Sequence, residues 1–253
     1  MIKSIFILTP CMNAVDTIDR TIMSVVTQAG DFKIRYHIQD AGSTDGTYER
    51  VLWWKARLES PDFPIQCKGI EFSVVSEPDE GLYDGLIRGF KHMHIRPDDF
   101  MAWINADDVL MVGALSLISQ VRSQFSKEQA SWVGGGCAIV KNNHITTNND
   151  RKVPTEAIRL GLCDGMHWDF IQQEGTFFRK WLWDSINPEV SIGKLKLAGD
   201  WNLWRLFAQQ ASLVQFTAAL GGFRRRDGQL SAVQRDKYMN EISSLVSPEE
   251  RKK

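Results

Sequence analysis

Four short apolar runs, separated by three segments with apolar residues at helical spacing, occupy the first hundred residues and set the fold class. SIFIL is followed by Thr17 to Val26, which places Ile18, Ile22, Val25 and Val26 on one helical face. Ile34 to Ile38 precedes a helix through Tyr48 to Leu58. Phe72 to Val75 precedes Gly81 to Met93, with Leu82, Leu86, Phe90 and Met93 at helical spacing. Phe100 to Ile104 then runs straight into NADD. Strands alternating with helices of this length predict an α/β chain with a doubly wound, mostly parallel sheet.

Beyond Asp108 the alternation fades. A helix is expected from Gly113 to Phe125, followed by the strand WVGGGCAIV, whose glycines suggest a bulge or close backbone approach. Lys141 to Val153 is polar and reads as a hairpin tip or loop. Asp200 precedes WNLWRLFAQQ, where Leu203, Trp204 and Phe207 share a face, so Asp200 is a candidate N-cap. From Ser231 onward the chain reads as a polar amphipathic helix with a charged tail. No internal repeat or low-complexity linker interrupts it. The expected organisation is one domain over 1–253, with halves at 1–110 and 111–231 and a C-terminal helix and tail at 232–253.

Composition removes several classes. Lys+Arg 30 against Asp+Glu 31 gives a net charge of -1, which argues against a general nucleic-acid binder. No run approaches the roughly 18 apolar residues of a membrane span. The apolar part of the N-terminus, Ile5 to Leu8, is too short for a signal-peptide core and reads as a buried first strand. Cys11, Cys67, Cys137 and Cys163 lie far apart with no CxxC pair, which predicts reduced, core-filling thiols in a cytoplasmic protein. Neither GxGxxG nor GxxxxGK[ST] occurs, so dinucleotide redox chemistry and P-loop phosphoryl transfer recede.

Ligands of open parallel sheets bind beyond the carboxyl ends of the strands. Here those ends carry Thr9-Pro10, Asp40, Glu77 with Asp79, and Asn105 with Asp107 and Asp108. Adjacent carboxylates repel unless a cation neutralises them, and oxygen ligands suit Mg²⁺ or Mn²⁺. Equally, Asp107 or Asp108 could cap the next helix, and Ser43 or Asp45 in DAGSTDGT could do the same for theirs.

Seven segments together resemble family 2 glycosyltransferases, the inverting group with the GT-A fold: TPCMNAVDTIDRTIMSVVTQ, QDAGSTDGT, SEPDEGLYDGLIRGF, WINADDVL, IQQEGTFFRK, AGDWNLWRLF and GGFRRRDGQLS. Among its subgroups the chain looks like bacterial enzymes of surface-polysaccharide synthesis. The resemblance implies a metal-dependent hexosyltransferase using a nucleotide-sugar donor, usually a UDP-sugar, and a saccharide or lipid-linked saccharide acceptor. It implies that Thr9 and Pro10 line the nucleotide pocket, that Asp40 bonds the base, and that Asp79 makes a second nucleotide contact, with Asp84 ordering that loop. Asn105, Asp107 and Asp108 match the metal and ribose motif. Asn105 replaces the usual first aspartate and faces the nucleotide, and Asp107 is the first metal ligand with Asp108 second. Gln173 and Glu174 would contact sugar hydroxyls. Asp200 matches the catalytic base, a role compatible with capping its helix.

One motif departs from the pattern. Arg226 stands where relatives often carry histidine, and arginine pairs with phosphate but does not bind metal, so Arg224, Arg225 and Arg226 are expected to clamp the diphosphate. Of nine tryptophans, Trp168, Trp181, Trp183, Trp201 and Trp204 crowd the acceptor half. Most are expected in the core, with one or two meeting a ligand: aromatic faces suit sugar rings, Trp201 being the one placed there, and tryptophan also suits peripheral contact with the inner membrane face. Two other readings stand beside this one. A nucleotidyltransferase would carry a Gly-rich, Arg-containing loop after strand one, and TPCMNAVDTI has none. A degenerate, non-catalytic transferase would have lost Asp200 or the Asp107-Asp108 pair, which are present.

Overall fold

Every residue of β1 (Ser4–Cys11) is buried, which marks it as a central strand covered on both faces. It pairs in parallel with β2 (Lys33–Asp40) on one side and β4 (Phe100–Trp103) on the other, and β2 pairs in parallel with β3 (Ile70–Ser76). The computed structural model describes residues 3–141, 144–148, 152–225, 234–247 and 249–252. Among these, nine strands form one sheet.

The helices of the first half are α1 (Ile18–Val26), α2 (Thr47–Glu59) and α3 (Leu82–His92). After β4 come the short β5 (Val109–Leu110), α4 (Ala114–Gln124), β6 (Trp132–Lys141) and β7 (His144–Asn148). The remainder comprises α5 (Thr155–Arg159), a 3-10 turn at Gln173–Gly175, β8 (Thr176–Arg179), α6 (Lys180–Ser185), α7 (Pro188–Ser191), α8 (Gly199–Gln210), β9 (Leu213–Arg224) and α9 (Arg235–Leu245). The spatial order is β3-β2-β1-β4-β8-β6-β9-β5, with β7 hydrogen-bonded to β6 as the expected hairpin. The first four strands are parallel. In the second half β8 runs antiparallel to β4 and β6, and β5 antiparallel to β9.

Helices cover both faces, so the sheet is doubly wound. On one face Ile22, Val25, Val51, Trp54, Leu115 and Ile118 pack beneath Ile5, Ile7, Ile34 and Ile38. On the other, Leu86, Phe90, Trp183, Leu203, Trp204 and Phe207 pack on Phe6, Leu8, Met101 and Trp132. Trp204 lies between two sheet tryptophans, stacked on Trp103 at 5.6 Å and on Trp132 at 5.8 Å. Such pairs contribute about 0.5–1.5 kcal/mol each beyond their burial and pin α8 to the sheet. A smaller third cluster joins Ala198, Trp201, Ile242 and Val246 under α9.

Three expectations shift in detail. The buried face of α3 is Tyr83, Leu86, Ile87 and Phe90, while Leu82 is exposed. Gly85 and Gly89 bring that face close: a Cβ at Gly89 would stand 2.5 Å from Leu8, and one at Gly85 2.7 Å from Asp79. The last helix begins at Arg235, and residues 231–233 of its expected start lie outside the described ones. Helix α8 begins at Gly199 behind an Ala198 cap, so Asp200 occupies the first turn instead of the cap position.

The glycines of β6 do produce a bulge. Its register against β9 jumps between Gly134 and Cys137, where a Cβ at Gly135 would stand 2.2 Å from Leu220. All four cysteines are free thiols; Cys11, Cys137 and Cys163 are buried. Among the described residues no helix is long and apolar enough to cross a membrane.

Candidate active site

The loops after β1 and β2 are stitched together. Ser43 Oγ accepts the Asn13 N–H (2.8 Å), Asn13 Oδ1 accepts the Thr44 N–H (2.9 Å), and Thr47 Oγ1 accepts the Ala14 N–H (2.7 Å). Asp45 accepts the N–H of Val15 (3.1 Å) and of Thr47 at the start of α2 (2.9 Å), so it serves both the turn and the helix end. Asp40 organises the loop from beneath. Its fully buried carboxylate accepts Gly42 and Ser43 N–H groups (3.2 and 3.1 Å), the Ser43 and Ser76 hydroxyls (2.5 Å each) and the Cys11 thiol (3.6 Å). Thr9 is likewise buried, its hydroxyl 2.9 Å from that of Tyr36.

Asp79 follows β3 and accepts the Gly81 N–H at 2.9 Å. Burial raises its pKa, partly offset by that N–H. Asp84 accepts the Glu80 N–H (3.0 Å) and pairs with Arg88 (2.8 Å), so it does order this loop. Pro10 stands beside the same Gly85 that makes room for Asp79.

The segment after β4 is held by α1 and the residues just after it. Thr21 donates to the Asp108 carbonyl (2.7 Å), Ser24 accepts the Leu110 N–H (3.0 Å), and Gln28 donates to the Met111 carbonyl (2.9 Å). Helix α4 starts only at Ala114, so neither aspartate caps it. Asp108 is buried, its Oδ1 accepting the Arg224 N–H (2.9 Å) and its Oδ2 the Asn105 amide (3.3 Å). Asp107 is half-buried beside it, its carbonyl accepting from Arg224 Nε at 3.1 Å. Asn105 Oδ1 is buried with no hydrogen-bond partner among the described residues.

The 3-10 turn brings Gln173 and Glu174 to the same place. Gln173 Nε2 donates to the Trp103 carbonyl at the end of β4, while its Oε1 is buried without a partner among the described residues. Glu174 is buried against Asp108. Desolvation is the main cause that raises both carboxyl pKa values, reinforced by neighbouring charge from Asp107 on both and from Asp200 on Glu174. Cys137 Sγ lies 3.8 Å from Glu174 Oε2. Beneath the turn, a Cβ at Gly221 would stand 2.2 Å from the Glu174 backbone, so only glycine lets β9 pass there.

Asp200 approaches from α8. Burial pushes its pKa up to about 6 against the stabilising Trp201 N–H and Tyr83 hydroxyl, with Glu241 adding a repulsive charge. Its Oδ1 accepts the Trp201 N–H at 2.7 Å and lies 3.3 Å from the Tyr83 hydroxyl.

The structure therefore gathers Asp107, Asp108, Glu174 and Asp200 within electrostatic reach at the carboxyl edge of the sheet. Asp40, Thr9, Pro10 and Asp79 form the adjoining rim. Trp201 is a correction. It is only 4% exposed and packs with Ala198, Ile242 and Val246, because the next residue along a helix points about 100° away from Asp200. Arg226, expected to clamp the diphosphate, lies outside the described residues. Sequence reasoning missed Tyr83 and Glu241. An aromatic hydroxyl on an otherwise apolar helix face was the available signal for Tyr83; Glu241, in a polar helix, offered none.

Comparison with known proteins follows this geometry. The family model described as Glycosyl transferase family 2 matches residues 6–161, more than half of the chain. No curated protein matches significantly. Among solved structures, S. aureus TarS 1-349 in complex with UDP-GlcNAc aligns at a TM-score of 0.64 and 14% identity, covering 96% of this chain and 65% of that one. A mannosyltransferase from Pyrobaculum calidifontis in complex with GDP-Man and Mn²⁺ aligns at 0.62 and 13%, covering 95% and 63%. Glucosyl-3-phosphoglycerate synthase from Mycobacterium tuberculosis, in complex with Mn²⁺, UDP and glucosyl-3-phosphoglycerate, aligns at 0.56 and 13%, covering 96% and 79%. The chain thus spans less than two thirds of the first two. The shared fold is that of the GT-A glycosyltransferases.

Proposed function

Because this chain belongs to glycosyl transferase family 2, we propose that it is an inverting, metal-dependent hexosyltransferase, moving a sugar from a nucleotide donor to a hydroxyl of a saccharide or lipid-linked saccharide. A UDP-sugar is the first candidate, since two of the three structures compared carry uridine nucleotides. The observation that carries the reading is the convergence of carboxyls from the β4 end, the 3-10 turn and α8 at one sheet edge. One group of acids serves the leaving diphosphate and a separate acid, Asp200, serves the nucleophile.

Asp200 takes the acceptor proton. As the acceptor O–H bond breaks toward an Asp200 oxygen, the acceptor oxygen bonds the anomeric carbon from the face opposite the diphosphate. The bond from that carbon to the diphosphate oxygen breaks, and its electron pair leaves with the nucleoside diphosphate. A single displacement inverts the centre. The base works only when ionised, which the Trp201 N–H and the Tyr83 hydroxyl favour.

The donor set fits a hard divalent cation. Asn105 offers an unmatched buried oxygen and Asp107 a half-buried carboxylate beside it, and Asp108 stands next to them with its two oxygens accepting from Arg224 and Asn105. Asp107 would hold Mn²⁺ or Mg²⁺, with Asp108 behind it. Among the described residues no three His, Cys, Asp or Glu side chains gather to hold a metal, so diphosphate and water would complete the shell. When bound, the ion stabilises charge on the departing diphosphate. Gln173 Oε1 and Glu174 would receive sugar hydroxyls, and the rim of Thr9, Pro10, Asp40 and Asp79 the nucleoside. An Asp40 contact to the base would displace one of its present donors.

Met166, Trp168 and Phe170 are exposed on one loop, and Phe170 contacts Tyr238 of α9, whose hydroxyl feels the Asp200 charge. This supports an apolar acceptor side, consistent with surface-polysaccharide synthesis in the cytoplasm or against the inner membrane face. Calorimetric titration with UDP, GDP and dTDP, each with Mn²⁺ and with EDTA, tests the reading. Metal-dependent preference for one nucleotide is expected. Binding of none would favour a non-catalytic chain.

A further inference from the structure

The Tyr83 side chain reaches Asp200 from the donor half of the molecule. The Tyr83 ring lies flat on the turn into α8, where a Cβ at Gly199 would stand 2.5–2.6 Å from three ring atoms. Only glycine at 199 lets the ring come this close, and the approach brings its hydroxyl to the base. That hydroxyl donates to the Leu197 carbonyl at 3.0 Å, lies 3.3 Å from Asp200 Oδ1, and accepts the Asp200 N–H at 3.2 Å. It has one proton for two acceptors. When Asp200 is charged the proton is best placed on the carboxylate; once Asp200 carries the acceptor's proton, the hydroxyl can turn wholly to Leu197.

Tyr83 also stands in the second position of α3, directly after the loop that carries Asp79. A second bridge crosses the same gap: Lys196 Nζ donates to the Glu80 carbonyl. From the far side Glu241 of α9 accepts the N–H groups of Lys196, Leu197 and Ala198 at 2.8, 2.8 and 2.6 Å. The turn 196–200 is thereby clamped between the donor-side loop 79–83 and the last helix.

We propose that Tyr83 is a positioning residue that couples occupancy of the nucleotide loop to the placement and ionisation of Asp200. The inference rests on the reading of Asp200 as the base. Among the described residues, the ionisable groups facing Asp200 are Tyr83 from α3, Tyr238 and Glu241 from α9, and Glu174 from the 3-10 turn. Of these, Tyr83 alone bonds its side chain to the Asp200 carboxylate among the described hydrogen bonds.

The test is a carboxyl ¹³C NMR titration of aspartate-labelled protein, wild type and Tyr83→Phe, with and without UDP and Mg²⁺. Asp200→Asn identifies the resonance. The phenylalanine ring keeps the packing on Gly199, and a melting curve checks the fold. Tyr83→Phe is expected to raise the Asp200 pKa above that of the wild type, since the charged form loses a donor. It should also abolish the change that UDP with Mg²⁺ produces at Asp200 in the wild type. Equal pKa values and equal UDP responses in the two proteins would overturn the inference. Hydrolysis of UDP-GlcNAc or GDP-Man, with water as acceptor, separates the premise. Asp200→Asn turning over as fast as wild type would remove the base reading, whatever the NMR shows.

Discussion

Asp200 illustrates how one side chain's surroundings set its working range. Burial pushes its pKa up to about 6, and a general base must be ionised, so turnover is expected to rise with pH through about 6 and level off above it. The pH profile of kcat measures this, and a profile flat from pH 5 to 8 would contradict it. Asp200→Asn should reduce kcat by about 10²–10⁴-fold while leaving nucleotide affinity nearly unchanged, because the base acts only in the transition state. Asp107→Ala tests the other end of the reaction. Calorimetry should show Mn²⁺-dependent UDP binding weakened toward the value in EDTA, and unchanged affinity would remove Asp107 from the metal site. The sequence drew attention to both through the motifs WINADDVL and AGDWNLWRLF, which place Asp107 after an apolar strand and Asp200 at the start of a helix. Trp201 was misplaced: an aromatic face suits a sugar ring, but the helical turn sends this one into the core.

At the level of elements, the site depends on strand β9 passing close under the 3-10 turn. A Cβ at Gly221 would meet Glu174 backbone atoms at 2.2 Å, and backbone cannot rotate away as a side-chain tip can. Gly221→Ala is therefore expected to destabilise the protein by about 1–3 kcal/mol, the range for overpacking, and to lower activity as Glu174 shifts. Thermal denaturation reads the first effect; a melting temperature equal to wild type would show that β9 has slack. The strands and helices of the first half were readable almost residue by residue, since period and burial agree in parallel strands and amphipathic helices. Tertiary clamps were less readable. The cap of α8 looked like Asp200, but the N–H groups just ahead of that helix are satisfied by Glu241, forty-odd residues away, which no local pattern announces.

Taken as one molecule, the proposed donor rim and the proposed base lie at the edge of a single sheet, so ligand binding there should stabilise the whole fold. UDP with Mn²⁺ at about 100 times its dissociation constant is expected to add about 2.7 kcal/mol. At this size that corresponds to a rise in melting temperature of roughly 5–10 °C, to be lost on adding EDTA. A rise that survives EDTA would argue for metal-free nucleotide binding. The parallel half was legible from alternation alone, whereas the antiparallel strands β8 and β5 arise from long connections whose pairing no short-range signal fixes. The Glu241 clamp adds a consequence in time. Residues that form the nucleotide rim emerge early in synthesis, but the turn before Asp200 gains its carboxylate partner only after residue 241 leaves the ribosome. A growing chain would thus hold the sheet edge that carries Asp40 and Asp79 well before the turn at Asp200 is fixed in place, and the arrival of α9 would be what fixes it.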